Sequence, residues 1–528
     1  MTAKNKTGSE NSADTNPKKE IKNTPQKIKK NTNKKSDNKS NRKSLKVAFA
    51  ASECVPFVKT GGLGDVLGSL PKAIANENCE VRVFLPLYGK IKKEVHDIIP
   101  LEEFNDIKIM IGDKEFTYNV LTSKLPDSDV NVYFIDCPQY YDREMPYTND
   151  PDEDERFILF QVAVIETLQR LKWAPDIIHC NDWQTSLIPV YLKTNYKWDK
   201  LFENTRTLLS IHNIGYQGRF SKEAVGKAGL SYEDYYAESP YELDGTFCFL
   251  KAGIIFSDII TTVSPAYSEE IRTEEFGAGM EGVLDTRKDS LYGVLNGVDT
   301  GIWSPKNDKF IPANYSRKTV KNKIKCKKEL LSEAGIEYNE DIPVIGIISR
   351  FAGQKGFELM FPIAEELMRL PFQLIVLGSG EEKTEKFFEE LAYLFPEKVN
   401  TYIGYNNKLS HYITAGCDMF LMPSLYEPCG LNQMFSLNYG TVPIVRKTGG
   451  LADTVKDYHE FDEKGNGFSF KDPTSYALYT TIDRAINTFK DKKVWKKIMD
   501  AGMKEDFSWK HSAREYINLY KKALKIDK

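Results

Sequence analysis

The sequence predicts an α/β protein with two doubly wound Rossmann-like domains that face a central cleft. Apolar strand-like runs alternate with helix-like segments along most of the 528 residues, a pattern typical of parallel sheets flanked by helices. A Lys-Thr-Gly-Gly-Leu motif also occurs twice, at residues 59–63 and 447–451. Because the length exceeds that of one ordinary domain, we expect two large ones.

Each Gly-Gly motif follows a short apolar run and precedes a helix-like pattern. Glycine lets the backbone approach a ligand because no Cβ intervenes, and a helix N-terminus beside a lysine favours an anion. A turn that only joins a strand to a helix is the alternative for either copy alone. Neither copy has the spacing of a dinucleotide fingerprint or a P-loop. Together the two copies predict two domains that face one phosphate-bearing ligand.

Residues 1–44 contain thirteen Lys or Arg, four Asp or Glu and almost no large apolar side chain. We interpret them as a disordered tail, since they cannot bury enough surface to fold. A solubilising leader is favoured over a segment that contacts an anionic partner, and the tail lacks the apolar core of a secretory signal. The net charge of the whole chain is −3, so the remainder is acidic, which argues against nucleic acid as a partner.

The eight cysteines are scattered without a metal-binding spacing. They indicate a reducing compartment and no structural metal. We expect a cytoplasmic protein, with a plastid address as the alternative. No apolar run is long enough to cross a membrane, so no membrane partner is expected.

The first domain, residues 45–300, is predicted to hold a parallel sheet with an inserted antiparallel hairpin set. Helices are predicted over residues 65–76 and 157–171, with loop-like residues 137–156 before the second. The strands of the main sheet are predicted at residues 45–51, 81–85, 177–180, 207–211, 259–263 and 291–295. The inserted strands are predicted at residues 108–111, 116–121 and 130–135.

Residues 301–318 are predicted to form the interdomain linker, because Pro305 and Pro312 interrupt a polar stretch. The second domain is placed at residues 319–507, with residues 474–503 helical. A terminal helix over residues 508–528 is expected to pack back across the domains. The strands of the second domain are predicted at residues 344–348, 373–377, 399–403, 419–422 and 442–445.

Polar side chains follow predicted strands in both halves, where open α/β sheets bind ligands. Asp182 and His212 do so in the first half. In the second, Arg350 and Lys355 are separated by a glycine-containing turn and could clamp a diphosphate. Glu427 is expected opposite this clamp, where a carboxylate could bind sugar hydroxyls or stabilise an oxocarbenium-like centre. The alternatives are a solvated surface charge for either cation alone and a structural, hydrogen-bonded role for His212.

No carboxylate and histidine side chains have the spacing of metal ligands. We therefore expect no metal and no cofactor. Lysine and arginine neutralise a diphosphate leaving group without a cation.

Motifs in order along the chain, from about residue 45 to about 520, resemble those of bacterial glycogen synthases and plant starch synthases. They stand at residues 59–63, 179–184, 212–218, 295–299, 349–356, 427–431 and 448–455. The resemblance implies a retaining glycosyltransferase of GT-B architecture that elongates an α-1,4-glucan acceptor from ADP-glucose. UDP-glucose as donor and a catalytically silent glucan-binding homologue are the alternatives. A glucan phosphorylase or a sucrose-forming or lipid-linked-sugar transferase fits the motifs less well.

The resemblance also implies roles for individual residues. Lys59, Arg350 and Lys355 hold the diphosphate, Glu427 and His212 hold the transferred glucose, and Asp182 lies beside the reacting sugar. These six residues are also the implied catalytic residues. The implied acceptor-binding residues are Glu53, Asp182 and Trp183. The implied donor-binding residues are Lys59, Gly61, Gly62, Asp65, Asn296, Arg350, Lys355, Tyr405, Glu427, Cys429, Gly430, Leu431 and Thr448.

The sequence departs from the family pattern at two positions. Leu425 stands where the family usually has arginine, which puts the support of Glu427 and the donor preference in question. Gln184 stands where several relatives have histidine, so the role of that side chain toward the acceptor is open.

Overall fold

Two large, mainly parallel sheets organise the protein in this computed structural model, which describes residues 44–462 and 464–526. The predicted tail lies outside the described residues, apart from Ser44. Within the described part, no helix combines the length and the apolar character that crossing a bilayer requires.

The first sheet and a small neighbouring sheet are built from residues 46–293. Their strands are β1 Lys46–Ala50, β2 Glu80–Pro86, β3 Ile99–Pro100, β4 Ile107–Ile111, β5 Lys114–Lys124, β6 Asn131–Asp136, β7 Ile177–Asn181, β8 Arg206–Ile211, β9 Arg219–Phe220, β10 Glu242–Leu243, β11 Thr246–Cys248, β12 Ile259–Thr262 and β13 Leu291–Gly293. The order in the large sheet is β13-β12-β8-β7-β1-β2-β6-β5-β3, with β4 paired to β5. Central β1 is buried on both faces, as a parallel strand between two helical layers is.

The predicted hairpin set extends the main sheet. Strand β5 pairs antiparallel with β3, β4 and β6, and β6 pairs parallel with β2. The small sheet β10-β11-β9 was not predicted, because strands of two or three residues carry no periodicity.

The helices of the first half are interspersed with its strands along the chain. They are α1 Gly62–Asn76, α2 Pro138–Tyr141, α3 Glu153–Arg170, α4 Ile188–Lys193, α5 Glu223–Lys227, α6 Phe249–Phe256, α7 Pro265–Glu270 and α8 Glu281–Thr286. Helix α3 begins four residues before its predicted start, and its first turn is acidic, which favours a helix N-terminus.

The second sheet has the order β16-β15-β14-β17-β18-β19, all parallel. Its strands are β14 Val344–Phe351, β15 Gln373–Gly380, β16 Val399–Ile403, β17 Met419–Met422, β18 Val442–Arg446 and β19 Phe468–Phe470. Its helices are α9 Lys323–Glu333, α10 Ala364–Arg369, α11 Glu382–Leu394, α12 Asn407–Gly416, α13 Asn432–Asn438, α14 Gly449–Thr454, α15 Ser475–Phe489 and α16 Lys492–Gly502. The predicted helical stretch 474–503 is thus two helices, and Asp491 caps the second.

Helix α17, Trp509–Ala523, packs on the first half of the chain. Its Tyr520 hydroxyl lies 2.8 Å from Nδ1 of buried His179 in β7, and Nε2 of His179 lies 2.7 Å from the Ser210 hydroxyl in β8. The hydroxyl of Ser512 donates to the carbonyl of Leu295 at 2.6 Å. These contacts fix the helix to the first sheet.

Candidate active site

A cavity of about 1240 Å³ is lined by residues from both halves of the chain. It lies where strands of the two sheets end, as the sequence predicts for an open α/β sheet. The predicted site residues that line it are Glu53, Lys59, Gly61, Gly62, Asp65, Asp182, Trp183, His212, Asn296, Arg350, Lys355, Glu427, Cys429, Gly430 and Leu431.

The first Gly-Gly loop binds a carboxylate of the protein itself. Buried Glu53 accepts hydrogen bonds from the N–H of Thr60 at 2.6 Å, from that of Gly61 at 3.0 Å and from the Thr60 hydroxyl. The Tyr147 hydroxyl donates to the same carboxylate at 2.7 Å. Glu53 thereby fixes the conformation of the loop. The N–H of Gly61 is already hydrogen-bonded to this carboxylate.

Lys59 extends from this loop as a partly exposed cation. Its Nζ lies 2.7 Å from the carboxylate of Asp65, in the first turn of α1. Burial raises the pKa of Asp65, and the charge of Lys59 opposes the shift. The pair places one positive and one negative group at the cavity wall.

Asp182 follows β7 in a strained backbone conformation, with φ of 54°. Its carboxylate accepts the N–H of His212 at 2.7 Å. Burial raises the pKa of Asp182 to about 7, against the effect of the N–H groups of His212 and Asn213. A strained acidic residue with a pKa near neutrality is a candidate for chemistry.

His212 is held in a hydrogen-bond network at the end of β8. Its Nε2 lies 2.9 Å from Oδ1 of Asn181, whose amide nitrogen donates to the carbonyls of Ala50 and His179. Oδ1 is therefore the acceptor, which assigns the proton of the imidazole to Nε2. Burial lowers the pKa of His212 to about 3, so the ring is neutral at physiological pH. Nδ1 is then the ring nitrogen that can accept a hydrogen bond from a hydroxyl.

Trp183 stands at the cavity wall within an aromatic cluster. Its ring packs edge-on against Phe157, Phe220 and Phe249, with centroid distances of 4.9, 5.5 and 6.1 Å. Gly218 approaches the same ring so closely that a Cβ there would lie 2.5 Å from it. The next residue, Gln184, also lines the cavity, and its buried amide oxygen has no hydrogen-bond partner among the described residues.

Lys355 and Glu427 form an ion pair on the second half of the chain, with Nζ and Oε2 at 2.6 Å. The sequence-based expectation that Glu427 lies opposite the cationic clamp is therefore wrong. Residues 353–355 and the loop after β17 meet, since the N–H of Leu425 donates to the carbonyl of Gln354 at 2.8 Å. The Ser424 hydroxyl also donates to Glu427, at 3.1 Å.

Arg350 is the penultimate residue of β14 and lines the same cavity as this pair. Its guanidinium forms no ion pair with the described residues. Leu425 is 37% exposed and is not among the cavity-lining residues. The carbonyl of Leu425 accepts from Arg446, so an arginine from β18 supports this loop through its backbone.

Asn296 and the 429–431 turn close the cavity near Glu427. The buried Oδ1 of Asn296 has no hydrogen-bond partner among the described residues. Gly430 has φ of 71°, a left-handed conformation that favours glycine. The amide of Gln433 donates to the carbonyls of Cys429 and Gly430, both at 3.0 Å, and holds the turn.

Two predicted donor-binding residues are not among those lining the cavity. Tyr405 follows β16 and is 84% exposed. Thr448 is buried, and its hydroxyl donates to Glu270 at 3.0 Å. The neighbouring Lys447 pairs with Glu460 at 3.0 Å. The sequence predicted that the second Gly-Gly loop faces the ligand, but in the structure this loop does not line the cavity.

Sequence reasoning missed some residues that line or support the cavity. Tyr147 contributes to the wall, and Ser424 lies beside Glu427. The segment around Tyr147 is rich in tyrosine and aspartate, the one signal that marked it. Among the described residues, no three or more His, Cys, Asp or Glu side chains are grouped so that they could hold a metal ion.

Comparisons with known proteins agree with this geometry. Residues 46–286 match the family described as "Starch synthase catalytic domain", and residues 332–499 match "Glycosyl transferases group 1". The chain is 43% identical over 486 residues to glycogen synthases of Koribacter versatilis and Thermotoga maritima, covering 91% of this chain and 99% of each relative.

A solved structure is similar over nearly the same span. The catalytic domain of starch synthase IV from Arabidopsis thaliana, bound to ADP and acarbose, has a TM-score of 0.84 and 32% identity, covering 92% of this chain and 100% of that one. The predicted fold class, two doubly wound α/β domains of GT-B architecture, is confirmed, and the chain is a glycosyltransferase. It belongs to the family of glycogen and starch synthases.

Proposed function

We propose that this enzyme transfers glucose from ADP-glucose to the non-reducing-end 4-hydroxyl of an α-1,4-glucan, with retention of configuration. The observation that carries the proposal is one cavity that receives Lys59 from the first half and Arg350, Lys355 and Glu427 from the second. The starch synthase IV structure was solved with ADP and acarbose, which supports an adenine nucleotide and a glucan-like acceptor here.

In this proposal the two halves divide the work. Residues 45–300 form the acceptor side and residues 319–507 the donor side, joined by a linker at 301–318. Helix α17, Trp509–Ala523, returns to the first half. Asp182, Trp183 and Glu53 lie on the acceptor side of the cavity, while Arg350 and Lys355 lie on the donor side.

The transfer step breaks the bond between the anomeric carbon and the diphosphate oxygen. The acceptor 4-hydroxyl oxygen bonds to that carbon from the same face, and its proton passes to the leaving phosphate. Lys59, Arg350 and Lys355 stabilise the charge that develops on the diphosphate. Glu427 binds hydroxyls of the transferred glucose, and Nδ1 of neutral His212 accepts a hydrogen bond from a sugar hydroxyl. Asp182 stabilises positive charge on the sugar ring when it is ionised.

The remaining parts of the proposal concern the nucleotide and the location. Tyr405 stacks on the adenine from its exposed position. The cytoplasm is the proposed compartment, where buried thiols such as those of Cys54, Cys180 and Cys417 stay reduced.

The test is glucose transfer to glycogen from ADP-glucose and, separately, from UDP-glucose. We expect a higher kcat/KM with ADP-glucose and a product whose new linkages are all α-1,4, as measured by nuclear magnetic resonance. A preference for UDP-glucose would contradict the donor assignment. Glucan binding without transfer from either donor would favour a silent homologue.

A further inference from the structure

The second Gly-Gly loop, residues 447–450, holds a carboxylate that comes from the other half of the chain. The N–H of Gly449 donates to Oε1 of Glu270 at 2.8 Å, and the Thr448 hydroxyl lies 3.0 and 3.2 Å from the two oxygens of the same carboxylate. Glu270 is the last residue of α7, in the first half. A protein side chain thus takes the place that the sequence predicts for a ligand anion.

Two further hydrogen bonds join the same segment, residues 264–270, to the second half. The N–H of Ala266 donates to Oδ2 of Asp453 at 2.9 Å. The hydroxyl of Ser264 donates to the carbonyl of Pro428 at 2.7 Å. Each half therefore offers both donors and acceptors, so the contact is reciprocal.

The second Gly-Gly loop lies directly against the backbone of Glu427. The N–H of Gly450 donates to the carbonyls of Glu427 at 3.1 Å and Pro428 at 3.2 Å. A Cβ on Gly449 would lie 2.1 Å from the Glu427 carbonyl oxygen, and one on Gly450 would lie 2.0 Å from that of Cys429. Such close packing means that the turn carrying Glu427 cannot shift without the loop.

We propose that Glu270 is a positioning residue for Glu427. It binds the second Gly-Gly loop when the two halves meet, and the loop then fixes the turn on which Glu427 pairs with Lys355. The inference rests on the proposed function, because the binding of the transferred glucose by Glu427 is part of that proposed function. It also assigns the loop to contact between the halves, so the loop is not a second phosphate site.

Glu269 offers a matched control on the same helix. Its side chain is 75% exposed and pairs with Arg272 at 2.9 Å. We expect Glu270→Ala to lower kcat about 10- to 100-fold, since small displacements of a catalytic group cost this much. Glu269→Ala removes the same charge and should leave kcat unchanged. Glu270→Gln keeps an oxygen that accepts from Gly449 and should restore most of the rate, which a loss of folding would not allow. Unchanged kcat in Glu270→Ala would overturn the inference.

Calorimetric titration with ADP separates the inference from a ligand role of the loop. We expect Glu270→Ala to bind ADP no more tightly than the wild type does. Binding at least tenfold tighter would mean that Glu270 competes with a phosphate, and this would overturn the inference.

A double-mutant cycle in thermal unfolding tests the contact without activity. Glu270→Ala and Thr448→Val together should lower Tm by less than the sum of the single changes, since both remove one contact. Additive losses would contradict the contact. A wild-type enzyme that transfers no glucose would instead contradict the proposed function alone, while the titration and this cycle would still decide the inference.

Discussion

The two Lys-Thr-Gly-Gly-Leu loops have nearly the same sequence and different surroundings. Both bind a protein carboxylate through backbone N–H groups, Glu53 in the first loop and Glu270 in the second. The first carboxylate comes from the same half and leaves Lys59 at the cavity. The second comes from the opposite half and is half-buried where the halves meet.

This difference teaches that a Gly-Gly turn before a helix selects an anion without specifying its source. Backbone N–H groups and the helix dipole favour negative charge of any kind. Whether the loop serves a ligand or an assembly contact depends on what the rest of the fold brings to it.

The corresponding lysines of the two loops give the largest expected difference. Lys59→Ala should lower kcat/KM for ADP-glucose roughly 100- to 1000-fold, because it removes a charge contact to the departing diphosphate. Lys447→Ala removes a cation that pairs with Glu460 and is not among the cavity-lining residues, so activity should stay near the wild-type value. Equal losses in both variants, measured by steady-state kinetics, would abolish the distinction between the loops.

The dependence of kcat/KM on pH tests whether Asp182, which lines the cavity, takes part in the reaction. Because burial raises the pKa of Asp182 to about 7, its carboxyl is protonated below that pH and its negative charge is lost. We therefore expect log kcat/KM to fall as the pH drops below about 7. Asp182→Asn should be less active overall and should lack this acidic limb of the profile.

Asp453 is the control for that profile. Burial also raises its pKa, but it binds Ala266 at the contact between the halves. Asp453→Asn should keep the acidic limb. A profile flattened by Asp453→Asn and unaffected by Asp182→Asn would reverse the assignment.

Glycine substitutions should separate the loops in stability. Gly450→Ala places a Cβ 2.0 Å from a backbone oxygen and should lower the free energy of unfolding by about 1–3 kcal/mol. At Gly61 no atom lies within 4 Å of the added Cβ, and the backbone is extended. Gly61→Ala should therefore change the unfolding free energy by less than about 1 kcal/mol. Urea titration measures both, and an equally destabilised Gly61→Ala would show that its loop is as tightly packed.

The smallest effect is expected at Tyr405, outside both loops. If Tyr405 stacks on the adenine, Tyr405→Ala removes that contact. We expect this variant to have a KM for ADP-glucose roughly 2- to 12-fold higher than the wild type. Tyr393 is equally exposed, at 84%, and serves as the control on α11. No change in KM for Tyr405→Ala would remove this residue from the donor site.

The sequence predicted the cavity better than it predicted the second loop. Lys59, Asp182 and Arg350 come after strands predicted from the sequence, and the strand-end rule alone brings such residues to one edge. The partner of Thr448 could not be predicted, because Glu270 lies 178 residues away on a short helix with no motif. Tyr147 was missed for the same reason, since its contact with Glu53 joins a loop to a residue 94 positions earlier.

Fold prediction shows the same limit. Apolar strands such as β14 and β17 were predicted within three residues of their ends, because burial on both faces leaves a clear pattern. The direction of pairing of β6 was not evident, since the same apolar run can join a hairpin or a parallel neighbour. Tertiary contacts decide between these two.

The anchoring of α17 has a consequence for biosynthesis. The imidazole of His179, inside the first sheet, meets the hydroxyl of Tyr520, which is 341 residues later in the chain. At a translation rate of about 5–20 residues per second, the ribosome makes that partner roughly 20 to 70 s after His179. During this interval the nascent first half lacks the cover that α17 supplies to His179.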